Sequence, residues 1–283
     1  MDKKSTHLQD DFLNQLRKEH LVMPVFVHEG LSEPKEVSSM PGIFQQSPQS
    51  YLREVEEIVK SGIRAILLFG IPTFKDEKGS SAFDPQGVIQ TSIQKIKQEF
   101  PDLVVMADCC LCEYTDHGHC GVLHQENRKL DNDATLEILG KTALTYAEAG
   151  ADFVAPSGMM DGHVYAIRSA LDNGGYVGTG VIAYSIKYAS ALYGPFRDAA
   201  GSEGFIGNRK HHQMPISQSR EPLSKALVDI QDGADAIIVK PAGWNGDMIT
   251  KLRARVDQPI VAYQVSGEYA MIKAAAKAGL LNE

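Results

Sequence analysis

Apolar residues recur at two spacings along this 283-residue chain, and the two spacings alternate. In SYLREVEEIVKSG the positions Leu52, Val55, Ile58 and Val59 fall three and four apart, which is one face of a helix, and Gly62 follows. The next residues, AILLFGIP, form a continuous apolar run of strand length. The same unit returns twice more. TLEILGKTALTYAEAG stops at Gly150 and leads into FVAPSG, and LSKALVDIQDG stops at Gly233 and leads into AIIVKP. Glycine suits the left-handed position that closes a helix. Strands without polar alternation are covered on both faces, the arrangement of a parallel sheet flanked by helices.

The pattern predicts about seven strands: VMPVFVHE, AILLFG, LVVMADC, FVAPSG, GTGVIAYS, AIIVKP and PIVAYQV. The fold class is therefore α/β. A TIM-type (β/α) barrel is favoured over a doubly wound sheet, because no Gly-x-Gly-x-x-Gly turn follows the first strand. Barrel chemistry gathers at the C-terminal ends of strands. YAMIKAAAKAGLLNE is one more helix, closing at Gly279, after which the repeat demands an eighth strand. That strand and its helix are missing from the sequence, so an open seam is expected. The expected division is a short N-terminal arm over 1–22 and a barrel catalytic domain over 23–283.

Charge narrows the partners. With 36 acidic against 28 basic residues, the net charge is −8, which argues against a nucleic-acid or anionic-membrane partner. MDKKSTHLQDDFLNQL carries no apolar signal-peptide core, and no later run is long enough to span a bilayer. A soluble, cytoplasmic protein is expected. In that compartment clustered cysteines are metal ligands or catalytic groups more often than bridges.

All four cysteines lie in DCCLCEYTDHGHCG, Asp108 to Gly121. Cys110 and Cys112 stand two apart at the end of a predicted strand and should face one way, and Cys120 returns through a loop containing Gly118. Three thiolates suit Zn²⁺ and leave a fourth position for water or substrate. Cys109 should face the core. His117 and His119 are either substitute ligands or supporting residues. The competing reading of the cluster is a set of inert buried thiols.

Lys187 closes GVIAYSIK and Lys240 closes AIIVK. On neighbouring barrel strands, about 4.8 Å apart, both ammonium groups would enter one mouth. Mutual repulsion and desolvation would then favour the neutral amine. A neutral amine can attack a ketone and form a Schiff base. Against this stands the plainer reading that a strand-end lysine reaches out to solvent.

These residues carry a resemblance. DCCLCEYTDHGHCG, APSGMMDG, YSIKYASALYGPFRDAAGS, IIVKP and AYQVSGEYAMIKAAA, with HEGLSEPKEVSSMPGIFQQS near the N-terminus, resemble the motifs of the porphobilinogen synthase (5-aminolevulinate dehydratase) family, over about Pro24 to Gly279. The resemblance implies condensation of two 5-aminolevulinate molecules to porphobilinogen, with loss of two waters, for haem and other tetrapyrroles. It implies a (β/α)₈ barrel with an N-terminal arm, usually assembled as a homo-octamer. By motif, Lys240 matches the Schiff-base lysine of the P site and Lys187 the lysine associated with the A site. Cys110, Cys112 and Cys120 match the zinc ligands of the zinc-dependent branch, and Asp108 an acidic residue of the same site. The segment over about 189–215 corresponds to the active-site lid. Within it, Arg197 and Arg209 match ligands of the A-site carboxylate, with Lys210 and Gln213 beside them; read without the family, such arginines could equally be solvated surface charges. Ser266 matches a ligand of the P-site carboxylate.

The sequence also departs from the family pattern. Gly158 stands in place of an aspartate and His163 in place of an arginine. PAGWNGDMI replaces a Pro-x-x-x-Tyr-Leu-Asp pattern after Lys240, and Lys225 stands where many bacterial members have a glutamate for an allosteric magnesium. The absent eighth strand would carry the tyrosine that partners Ser266. Two other functions therefore compete with the family reaction: a Schiff-base lyase acting on one substrate, and an inactive zinc-binding subunit.

Overall fold

The computed structural model describes residues 16–124, 126–201, 213–215 and 221–283. Its strands are β1 (Val22–His28), β2 (Lys35–Glu36), β3 (Phe44–Gln46), β4 (Ala65–Ile71), β5 (Val104–Cys109), β6 (Phe153–Pro156), β7 (Gly180–Lys187), β8 (Ala236–Lys240) and β9 (Ile260–Ala262). Its α-helices are α1 (Tyr51–Lys60), α2 (Val88–Glu99), α3 (Asn132–Ala149), α4 (His163–Asn173), α5 (Gly194–Ala199), α6 (Glu221–Gln231), α7 (Gly246–Arg253) and α8 (Ser266–Lys277). All seven predicted strands form. The short pair β2 and β3 is additional.

The strands make one sheet in the order β2-β3-β1-β4-β5-β6-β7-β8-β9. From β1 through β4 to β9 each strand pairs in parallel with the next one along the chain. Such winding in one direction is that of a barrel; a doubly wound sheet reverses its strand order. The strands lack alternation because both faces are covered: every residue of β4 is buried. On the outside, Ile89, Ile93 and Ile96 of α2, Leu139 of α3, and Val164, Ile167 and Leu171 of α4 are buried in the same core. Gly150, at φ 100°, closes α3 in the left-handed region.

Among the described residues β9 pairs with β8 alone, and β1 gives its second edge to β3. The expected seam is thus present as a gap in strand pairing, but side chains span it. Tyr269 of α8 donates from Oη to the Pro41 carbonyl at 2.6 Å, next to the β2–β3 pair. Gln45 of β3 donates from Nε2 to the Ala199 carbonyl of α5 at 2.7 Å. Ser266 then ties α8 to the same segment: its hydroxyl accepts from the Phe196 amide at 2.9 Å and donates to the Leu192 carbonyl at 3.1 Å. Ile260 and Val261 of β9 are half-buried and Ala262 is exposed, so the edge is covered in part. Residues 1–15 of the expected N-terminal arm lie outside the described residues, and β1 opens at Val22.

Candidate active site

Lys187 and Lys240 are register partners at the ends of β7 and β8, and both are buried. Neither side chain escapes to solvent. Between Ala183 and Ile186 β7 carries one residue more than β8 opposite it. Such a bulge reverses the in–out parity of the strand beyond it. Tyr184 and Lys187, three apart, therefore face the same space, with the Lys187 ammonium 5.7 Å from the Tyr184 ring centre.

Lys240 sits in an aromatic box. Its Nζ lies 4.1 Å from the ring centre of Tyr263, 5.0 Å from Phe196, 5.3 Å from Tyr193 and 5.4 Å from Tyr184. Ring faces attract a cation, yet they also exclude water. Burial first, and Lys187 second, bring its pKa down to about 7. The neutral fraction at neutral pH thereby rises by about three orders of magnitude over that of an ordinary lysine. Lys187 instead donates to the Ser157 carbonyl at 2.7 Å. The Ser157 hydroxyl in turn holds Asp108 Oδ2 at 3.0 Å, so Ser157 joins the carboxylate to the second amine. Burial, then Glu113, raises the Asp108 pKa well above the usual carboxylate range, while Lys187 and Lys240 oppose the shift.

The sulfurs converge by a different route from the one predicted. β5 ends at Cys109, and Cys110 and Cys112 lie beyond it in the loop, where a turn brings their sulfurs to 3.4 Å. Donor atoms of Cys110, Cys112 and Cys120 all lie within 4.8 Å of one another, and all three residues are buried. Cys109 is buried with its sulfur toward the Leu139 carbonyl of α3, 3.8 Å away. His117 Nε2 meets the Glu77 carbonyl at 3.2 Å and its Nδ1 accepts from the His119 amide at 3.1 Å. Both of its ring nitrogens are therefore engaged, one within the loop and one with the segment that follows β4. Cys110 and Cys120 at its side, followed by burial, push the Cys112 thiol well above its usual range. A bound cation reverses that preference, because it takes the thiolate. The crowding of three buried sulfurs fits a metal site better than it fits inert packing.

Arg197 is exposed on α5. Gln213 is buried, held beside the site because the Met214 amide donates to the Lys187 carbonyl at 3.0 Å and the Met214 carbonyl accepts from the Ala189 amide at 2.9 Å. Arg209 and Lys210 lie outside the described residues, as does 202–212 of the expected lid. The hydroxyl of Ser266 is engaged with the backbone of 192–196, as described above. At Gly158 a Cβ would stand 3.3 Å from Met160 Cε and 3.4 Å from the Cys120 carbonyl, a tight fit that a small shift of the methionine end relieves. His163 is fully buried with Nε2 3.5 Å from Asp229 Oδ2, and Lys225 reaches Asp229 Oδ1 at 3.3 Å.

Sequence reasoning missed the aromatic box, Ser157 and Glu113. Glu113 is buried with Oε2 3.0 Å from the Cys112 sulfur, and burial, then Cys110, push its pKa up to about 7. Tyrosines three residues before Lys187 and near the end of PIVAYQV were the available signal, since a polar-tipped ring in an otherwise apolar strand asks for a partner.

Comparison with known proteins agrees with this geometry. The profile of the delta-aminolevulinic acid dehydratase family matches residues 3–283. The delta-aminolevulinic acid dehydratase of Archaeoglobus fulgidus is 52% identical over 269 residues, covering 95% of this chain and 83% of the relative. That of Escherichia coli is 50% identical over 263 residues, covering 93% and 80%. The crystal structure of the Toxoplasma gondii enzyme in complex with the reaction product porphobilinogen superposes with a TM-score of 0.94 at 40% identity, over 99% of this chain and 80% of that one. The fold is thus the TIM-type barrel of that enzyme. On its sequence, its fold and the pair of lysines that the barrel brings together, the chain belongs to the delta-aminolevulinic acid dehydratase family of hydro-lyases.

Proposed function

We propose that Lys240 and Lys187 carry this chain's porphobilinogen synthase activity, the condensation of two 5-aminolevulinate molecules to porphobilinogen with loss of two waters. The observation that carries the reading is the lysine pair itself: two buried amines in register, one of them held near pKa 7. Lys240 is the nucleophile. Its neutral Nζ adds to a substrate keto carbon, the carbonyl oxygen leaves as water, and a C=N bond to the enzyme remains. The aromatic box of Tyr184, Tyr193, Phe196 and Tyr263 keeps water from that bond. Lys187, held by the Ser157 carbonyl, takes the second substrate's side, and Asp108 supplies counter-charge to both amines. Arg197, Arg209 and Gln213 bind the A-site carboxylate. Ser266 is assigned to the P-site carboxylate, for which it would have to exchange its bonds to the 192–196 backbone.

Cys110, Cys112 and Cys120 fit Zn²⁺: three buried sulfurs of soft character within reach of one ion. Zinc bound there would supply Lewis acidity to the neighbouring substrate. A homo-oligomer is proposed on the resemblance to the family alone. No helix among the described residues is long and apolar enough to cross a membrane, which suits the proposed cytoplasmic location.

A colorimetric assay for porphobilinogen tests the reading. The zinc-supplied chain converts 5-aminolevulinate, a zinc chelator stops it, and borohydride with substrate traps an adduct on Lys240. No product at ample zinc, with no adduct, refutes it.

A further inference from the structure

Two buried carboxylates beside the sulfur cluster are each satisfied at one oxygen and not at the other. Asp108 is tethered through Oδ2 by the Ser157 hydroxyl, and Glu113 through Oε2 by the Cys112 sulfur. Asp108 Oδ1 and Glu113 Oε1 are buried without a hydrogen-bond partner. Asp108 is 6% exposed and Glu113 2%, so bulk solvent does not reach either carboxylate. The surrounding cations do not bond these oxygens either. Lys187 and Lys240 act on Asp108, and Lys187 and Lys75 on Glu113, only across space. The Tyr184 hydroxyl faces Asp108 without completing a hydrogen bond.

Donor atoms of Asp108, Cys110 and Glu113 all lie within 4.8 Å of one another. This set shares one sulfur with the Cys110, Cys112 and Cys120 set and is otherwise different in kind. Two carboxylates and one thiolate are a harder donor set than three thiolates. An unsatisfied buried polar atom costs about 1–3 kcal/mol, and more when the group is charged. One divalent ion answers both carboxylates at once.

We propose that Asp108, Cys110 and Glu113 form a second cation position, adjoining the three-cysteine site and sharing the Cys110 sulfur with it, which takes a first-row divalent cation of harder character than zinc, Mn²⁺ being the probe. Ser157 already holds Asp108 through Oδ2; Glu113 loses its contact with Cys112 when zinc takes that sulfur as thiolate, and its carboxylate is then released to the second ion. The position rests on the geometry alone and not on the dehydratase reading, and its test measures ion binding.

The full chain, loaded with one equivalent of zinc, is titrated with Mn²⁺ while the electron paramagnetic resonance signal of free Mn²⁺ is followed. The zinc-loaded chain is expected to remove one equivalent of Mn²⁺ from solution. Glu113→Gln keeps the zinc and weakens Mn²⁺ at least tenfold. Cys120→Ser, which reduces the zinc set to two sulfurs, still binds Mn²⁺. An unchanged free-Mn²⁺ signal with the zinc-loaded chain, or Glu113→Gln binding Mn²⁺ as the parent does, overturns the proposal. So does loss of Mn²⁺ binding in Cys120→Ser. Should Glu113→Gln fail to fold, anomalous scattering at the manganese edge from crystals of the parent chain decides: a peak between Asp108 and Glu113 supports the site, and its absence there overturns it.

Discussion

Replacing Lys240 by methionine should make the protein more stable while abolishing its chemistry, and the gain should depend on pH in a calculable way. The amine is 5% exposed and its pKa falls from 10.5 to about 7 on folding. Below pH 7 it is charged in both the folded and the unfolded chain, and the full cost of burying the charge is paid. Above pH 10.5 it is neutral in both and that cost vanishes. Between the two the unfolded chain binds more protons, so the stability of the parent rises with pH. At about 1.4 kcal/mol per unit, the cost is about 5 kcal/mol at pH 6 and about 2 kcal/mol at pH 9. Methionine fills similar space and titrates nowhere, and its packing contribution is independent of pH. The stability gap between Lys240→Met and the parent, measured by urea unfolding, should therefore narrow by about 3 kcal/mol from pH 6 to pH 9. A gap that stays constant within about 0.5 kcal/mol over that range would show that the amine is not depressed, and the account of Lys240 as a neutral nucleophile would fall with it.

Two further outcomes test the supports of the site. Burial works to raise the Asp229 pKa, but His163, Lys225 and Ser185 together hold it below the ordinary carboxylate value; its contribution to stability is present above that ordinary value and is lost as pH falls through the lower, folded one. Lys225→Met strips this carboxylate of its ammonium partner and should cost about 3 kcal/mol in urea unfolding at neutral pH, the lower end for a buried pair because Lys225 is partly exposed; a loss under about 1 kcal/mol contradicts the reading. Ser266→Ala leaves the Phe196 amide and the Leu192 carbonyl without their partner, so it should cost about 1–3 kcal/mol and speed tryptic cleavage after Arg197, and unchanged cleavage would show that the hydroxyl does not hold α5.

The features legible in the sequence were those fixed by local composition. Strands buried on both faces must be apolar throughout, so β4, β5 and β8 could be read directly, and the glycines that close α3 and α6 marked where each unit turns. The two lysines could be read because a cation at the end of such a run is conspicuous. What could not be read depends on partners far away in the chain. The bulge in β7 exists only relative to β8, and GVIAYSIK taken alone reads as an uninterrupted strand. It nevertheless decides that Tyr184 faces the lysines. β2 and β3 are two and three residues long and largely polar, below any periodicity signal. The engagement of Ser266 with 192–196 joins residues seventy or more positions apart, and its motif gave no hint of it.

The site gathers groups that each oppose folding when taken singly: a depressed amine, two raised carboxylates and crowded thiols. Met159, a non-glycine residue at φ 58°, adds backbone strain of about 1–2 kcal/mol. Such groups persist because they answer one another. Lys187 and Lys240 lower the Asp108 pKa that burial raises, while Asp108, Cys112 and Glu113 raise the Lys240 pKa that burial lowers. The arrangement therefore behaves as a unit, and its members cannot be assigned separate energies. It also explains why a rigid frame is required. Opposed charges relax if they can reach water, and the parallel pairing of β7 with β8, with the rings of Tyr184, Phe196 and Tyr263 packed around the amine, prevents them from doing so. The same enclosure that costs stability favours the neutral amine of Lys240, the form that the proposed attack on a ketone requires, so in that proposal the apolar sheet is as much a part of the chemistry as the amine it surrounds.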